Sequence, residues 1–253
     1  MNSRTASRFL LTVTAAALAS VAGRAVVDPA SLPPITNPFQ MNQLLGRGVN
    51  LGNALEAPTE GEWGVVLQEE YFDLIKQAGF NSIRLPVRWS AHALAERPYT
   101  IDPVFMKRVD WAVANALSRG LPIIVNIHHY FPLEFTHQGA AWLSRSKGDS
   151  SKWLGTRWPG TPAEVKAITD AFDTAAAWAK AHRRPLNVGE FGAYSKGDLA
   201  SRARWTKCIA DSAVGRGFSF DYWEFCAQEF GVYDQKAKVW VQPLLDALIP
   251  PKR

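Results

Sequence analysis

Residues 185–192 read Pro-Leu-Asn-Val-Gly-Glu-Phe-Gly. A short apolar run that stops in a Gly-Glu-Phe-Gly cluster predicts a buried parallel strand with a carboxylate, Glu190, at its tip. That end of the strand is where β/α sheets gather the groups that do chemistry. Upstream, Thr161-Pro-Ala-Glu164 forms a capping box with proline in the first turn, which predicts a helix running to about His182. Downstream, a helix from about Asp198 to Gly217 leads into a strand from Phe218 to Cys226. Strand, helix and strand in that order make one parallel-sheet unit.

The alternation continues toward the N-terminus. Gly48–Asn53 (GVNLGN) is a short strand, and Leu67, Tyr71, Leu74, Ile75 and Ala78 keep helical spacing up to Gly79. A second strand lies within Asn81–Trp89. Asp102-Pro103 then opens a helix that Gly120 closes. Pro122–Tyr130 (PIIVNIHHY) is a third strand, followed by a long loop carrying Trp142, Trp153 and Trp158. Loops of that length inside a domain are usually functional. A last short helix covers about Val241–Leu248, and Pro-rich Asp28–Phe39 reads as an extended lead-in. Five strands are expected, fewer than the eight of a closed β/α barrel.

The 253 residues suffice for one large domain, with 47% hydrophobic and 20% charged residues, ordinary for a globular chain. Ten tryptophans are not ordinary, and imply a crowded core or a surface that stacks on planar faces. Arg4 and Arg8 precede an apolar stretch, Phe9–Ala22, and small residues follow near Gly23 and Ala25. Residues 1–25 therefore read as an export signal, too short for a stable membrane span, leaving 26–253 as the domain. Cleavage after Ala25 would remove Arg4, Arg8, Arg24 and no acid, lowering the formal charge from +5 to +2. No basic cluster remains to favour nucleic acid. Export to the periplasm or medium permits a disulfide between Cys208 and Cys226, while two separate buried thiols is the simpler reading.

Six segments, RGVNLGNALEAP from Arg47, NSIRLPVRW from Asn81, IVNIHHY from Ile124, FTHQGAAW from Phe135, RPLNVGEFGAYS from Arg184 and YWEFCAQEFGVYD from Tyr222, together resemble the cellulases of glycoside hydrolase family 5. The resemblance implies a β/α barrel, retaining hydrolysis of β-1,4-glucans and no cofactor. Position by position it makes Glu190 the nucleophile, Arg84 the arginine that steadies it, and Trp223 the platform for the sugar at the cleavage point. It places His128 and Tyr130 with the catalytic group, and Asn53, Glu56, Trp142 and Trp158 along the substrate cleft. A nucleophilic carboxylate has to stay ionised, which a neighbouring guanidinium favours. The bland alternatives are a structural ion pair for Arg84 and a core position for Trp223. His128 and His129 are adjacent on a strand and point to opposite faces, so they do not suit one metal ion.

The family's Asn-Glu-Pro motif, whose glutamate is the acid/base, occurs nowhere in this sequence. The third-strand block runs directly into the segment that resembles the region after the sixth family strand. The chain therefore looks like a member whose three central strand–helix units are absent, an incomplete barrel of about five β/α units. Glu134, Glu56 and Glu224 lie near strand ends and are the carboxylates available to substitute. A catalytically impaired glucan-binding protein is the alternative function. The open edges of such a sheet invite either distortion or pairing with a second copy.

Overall fold

The computed structural model describes residues 37–128 and 157–251. The expected leader, Tyr130, Glu134, Trp142 and Trp153 lie outside the described residues. The lead-in expected to stay extended through Phe39 turns helical earlier. Asn37 caps helix α1 (Pro38–Leu45) by accepting a hydrogen bond from the Phe39 N–H, and Pro38 supplies the helical φ.

Strand β1 (Arg47–Asn50) is followed by α2 (Glu69–Ala78), β2 (Ser82–Val87), α3 (Pro103–Ser118) and β3 (Ile123–Ile127). Gly79 ends α2 in the left-handed conformation, and the Asp102 side chain caps α3 through the Val104 N–H. After the undescribed segment come α4 (Pro162–His182), β4 (Asn187–Phe191), α5 (Leu199–Val214) and β5 (Ser219–Tyr222). The capping box of Thr161 and Glu164 is formed at α4, and Asp198 caps α5. A hairpin, β6 (Tyr233–Asp234) and β7 (Val239–Trp240), precedes α6 (Gln242–Leu248). Two-residue strands leave no alternation to read, which is why the hairpin is silent in the sequence.

Five parallel strands are ordered β3-β2-β1-β5-β4 and curl into a half-barrel. The first and last of these strands in the chain, β1 and β5, lie side by side, as closure of a barrel requires. Among the described strands the opening therefore falls between β3 and β4. The core gathers on the intact side: Phe72, Phe80, Ile83, Leu85, Phe220, Tyr222, Phe225 and Leu244 are almost fully buried.

The two edges differ from a closed barrel in a specific way. Strand β4, expected to be buried, is an edge strand on which only Phe191 is buried, because no described strand lies beyond it. Helix α4 has no buried residue in 21; Ile168, Phe172, Ala175 and Ala176 only lean against the core. At the other edge, Val125 and Ile127 of β3 are 41% and 78% exposed. Among the described residues no helix is long and apolar enough to cross a membrane. Cys208 and Cys226 are both free thiols, the first half-buried on α5 and the second buried in the turn after β5.

Candidate active site

The C-terminal ends of β1, β2, β3, β4 and β5 meet at one mouth. Arg84 on β2 crosses the interior and its Nη1 lies 2.5 Å from Oε1 of Glu190 on β4. The arginine side chain is 11% exposed and the glutamate 41%, so the pair faces solvent on the carboxylate side only. The same Nη1 donates to Oδ1 of Asn50 at 2.6 Å. Asn50 is fully buried, and its Nδ2 donates to the carbonyls of Gly189, Asp221 and Tyr222 at 3.0, 3.0 and 3.2 Å. One side chain on β1 thus holds the arginine, the backbone of β4 next to Glu190 and the backbone of the adjacent β5. The sequence reading passed over Asn50; its only signal is a polar residue inside a short strand that otherwise reads as core.

His128, just past β3, places Nδ1 3.8 Å from Glu190 Oε1 and 2.9 Å from Asn126 Nδ2. Its ring lies nearly parallel to that of Trp223, 5.9 Å between centroids with planes 13° apart. Trp223 follows β5, and its indole sits over Gly52, where a Cβ would strike the ring. The Trp223–Glu224 peptide is cis. Glu190, Arg84, His128 and Trp223 therefore form one contiguous group, with a cation behind the carboxylate and an aromatic wall beside it.

Glu56 and Glu224 line the loops at the same mouth but do not open into it. Both are fully buried. Glu56 accepts hydrogen bonds from the N–H groups of Asn53 and Ala54, a turn in which Asn53 takes a left-handed φ of 61°. Burial above all, with a small addition from the charge on Glu190, pushes Glu56 up to about 7. Glu224 accepts from Cys226 N–H at 2.8 Å and Ala227 N–H at 2.6 Å, and burial pushes it up to about 8. These carboxyls brace turns. Trp158 stands apart from the group: its backbone N–H donates to Ser201 Oγ and its carbonyl accepts from Arg204, both near the start of α5. Among the described residues no group of three or more His, Cys, Asp or Glu is placed to hold a metal.

A family model described as cellulase (glycosyl hydrolase family 5) matches residues 46–158. Endoglucanase H of Acetivibrio thermocellus is 26% identical over 328 residues, spanning 88% of this chain and 35% of that protein. The chain therefore spans about a third of that relative's length. The alignment is also much longer than the stretch of this chain it takes in, so the relative carries a long stretch with no counterpart here. Among solved structures, Thermotoga maritima Cel5A in complex with mannotriose is 34% identical, covering 84% of this chain and all of that one at a TM-score of 0.72. A hyperthermophilic endo-β-1,4-glucanase in complex with substrate is 31% identical, covering 85% and 99%, at 0.73. With likeness of that extent in both sequence and coordinates, the chain belongs to glycoside hydrolase family 5, the cellulase family.

Proposed function

We propose that this chain is an exported, cellulase-type glycoside hydrolase that engages β-1,4-glucans with Glu190 as its nucleophile. The observation that carries the reading is the Arg84–Glu190 pair set beside the His128–Trp223 wall. In a retaining reaction a carboxylate attacks the anomeric carbon, the rest of the glucan departs with a proton from the acid, and the sugar stays on the enzyme as a covalent glycosyl ester that water then hydrolyses. Arg84, itself held by Asn50, fixes the Glu190 carboxylate, and the indole of Trp223 offers a stacking face to a pyranose.

Such a reaction also needs a second carboxyl about 5–5.5 Å away to donate and then accept a proton. The sequence has no Asn-Glu-Pro, and both Glu56 and Glu224 are buried with their oxygens taken by backbone N–H groups. The unmatched stretch in Endoglucanase H agrees with loss of the units that would carry the missing acid. Proton transfer contributes roughly 10²–10⁴-fold, so cleavage of unactivated glucan is slowed by about that factor. The buried state of Glu56 and Glu224 favours a second reading as well, a protein that grips glucan without cutting it.

Two substrates separate these readings. An aryl β-cellobioside with a good leaving group needs little acid assistance and is cleaved by wild type but not by Glu190→Gln, while carboxymethylcellulose is cleaved poorly. Binding to cellulose with no turnover of either substrate would leave the binding reading in place. Removal of residues 1–25 as a leader, with delivery to periplasm or medium, rests on the arginines and apolar run there. N-terminal sequencing of protein recovered from those compartments should begin at Val26.

A further inference from the structure

Among the described residues, the outer layer of the half-barrel is one helix short at one edge and one helix long at the other. Helix α3 joins β2 to β3, and among the described residues no helix follows on the far side of β3. Its outward residues Val125 and Ile127 are accordingly exposed, on the face opposite Asn126 and His128, which turn toward the mouth. At the opposite edge, α5 joins β4 to β5 and covers them. Helix α4 packs beside α5, and the Phe172–Phe218 rings and the Asp173–Arg216 ion pair fasten it to the turn that leads from α5 into β5. It is the last helix of the layer, beyond the outermost strand.

Helix α4 carries two apolar stripes. Ile168, Phe172, Ala175 and Ala176 face the core. Ala163, Ala167, Ala171, Thr174, Trp178 and Ala181 recur every three or four positions on another side and are exposed, Trp178 by 49%. An exposed strand face with no described helix over it and an exposed helix stripe with no described strand under it are complementary halves of one packing unit.

We infer that two copies of this chain close on each other through these edges. All five strands run in one direction, so a twofold axis along them sets β3 of each copy beside β4 of its partner, in parallel and twice over. Such a contact joins unlike edges and closes after two copies, leaving no free strand edge. Each α4 then covers Val125 and Ile127 of the other copy. The occupant is a second copy because the surplus and the deficit belong to the same chain and match in strand polarity. This inference is independent of whether Glu190 turns over a substrate.

Sedimentation or light scattering of the full chain at tens of micromolar tests it. The wild type should run at twice the chain mass, and Ile127→Lys or Val125→Lys should move it to the mass of one chain. Val239→Lys, at a comparably exposed residue of the β6–β7 hairpin, should leave the dimer unchanged. Mixing an Ile127→Cys chain with an Ala171→Cys chain should give a cross-linked heterodimer with a short bis-maleimide. A wild type at single-chain mass would overturn the proposal. So would a dimer indifferent to both lysine variants, or cross-linking only between two Ile127→Cys chains, which would mean that β3 edges pair with each other.

Discussion

Replacing Asn50 by aspartate changes one nitrogen to oxygen and tests whether this side chain is the keystone of the site. In the wild type, two N–H groups on Nδ2 are shared among three buried carbonyls, and Oδ1 takes the Arg84 guanidinium. In Asn50→Asp the Arg84 contact gains charge, but the second oxygen faces the carbonyls of Gly189, Asp221 and Tyr222 at 3.0–3.2 Å with no proton to offer. Each buried group left without a partner costs about 1–3 kcal/mol, against about 1.5–3 kcal/mol for a hydrogen bond to a charged group. With the amide donor to three carbonyls lost and one contact strengthened, the net loss at pH 8 is about 2–4 kcal/mol. Protonation restores one donor, so the introduced carboxyl is raised in the fold and the deficit shrinks toward pH 5. Guanidinium unfolding of wild type and variant at both pH values measures this directly. A variant as stable as wild type at pH 8, or a loss that is the same at pH 5 and pH 8, would refute the assignment of those three bonds.

Other expectations follow from the buried carboxyls and the tight loops. Glu224 and Glu56 are held protonated by burial, up to about 8 and about 7. The folded chain therefore binds more protons than the unfolded one above the ordinary carboxylate range, and the stability they lend is lost as pH rises through those values. Glu224→Gln should flatten the fall between pH 5 and 9 by a few kcal/mol, at about 1.4 kcal/mol per pH unit, with a small loss at pH 5 because the amide nitrogen cannot accept from backbone N–H. An unchanged slope in thermal or chemical unfolding would count against burial as its source. Gly192→Ala should destabilise by more than about 2 kcal/mol, because the added Cβ would collide with the Trp223 carbonyl, a backbone atom with little room to yield. Trp223→Ala should weaken binding of cello-oligosaccharide by roughly tenfold, in line with stacking worth about 0.5–1.5 kcal/mol beyond area. Calorimetric titration with cellotetraose reads that change.

Local signals in the sequence locate most elements because they are local in the molecule too. The Thr161–Glu164 box, Asp102 before Pro103 and Gly79 act through hydrogen bonds and φ angles within a few residues of themselves. Strand neighbours are not local, so Pro-Leu-Asn-Val-Gly-Glu-Phe-Gly looks like a central strand although β4 is an edge. It is an edge because no described strand lies beyond it. Glu190 and Arg84 carry charge within mostly apolar strands and stand out. Asn50 does not, because its role consists of contacts with Arg84 and with residues 139 or more positions away. Glu56 and Glu224 look like spare acids in the sequence, and only their burial against backbone N–H groups identifies them as braces.

Incubation with an activated 2-deoxy-2-fluoro-cellobioside, followed by intact mass and peptide mapping, reads the chemistry of the mouth most directly. A slowly hydrolysed cellobiosyl adduct on Glu190, absent in Glu190→Gln, is the predicted result. No adduct, or an adduct on another residue while an aryl cellobioside is still turned over, would contradict the role given to Glu190.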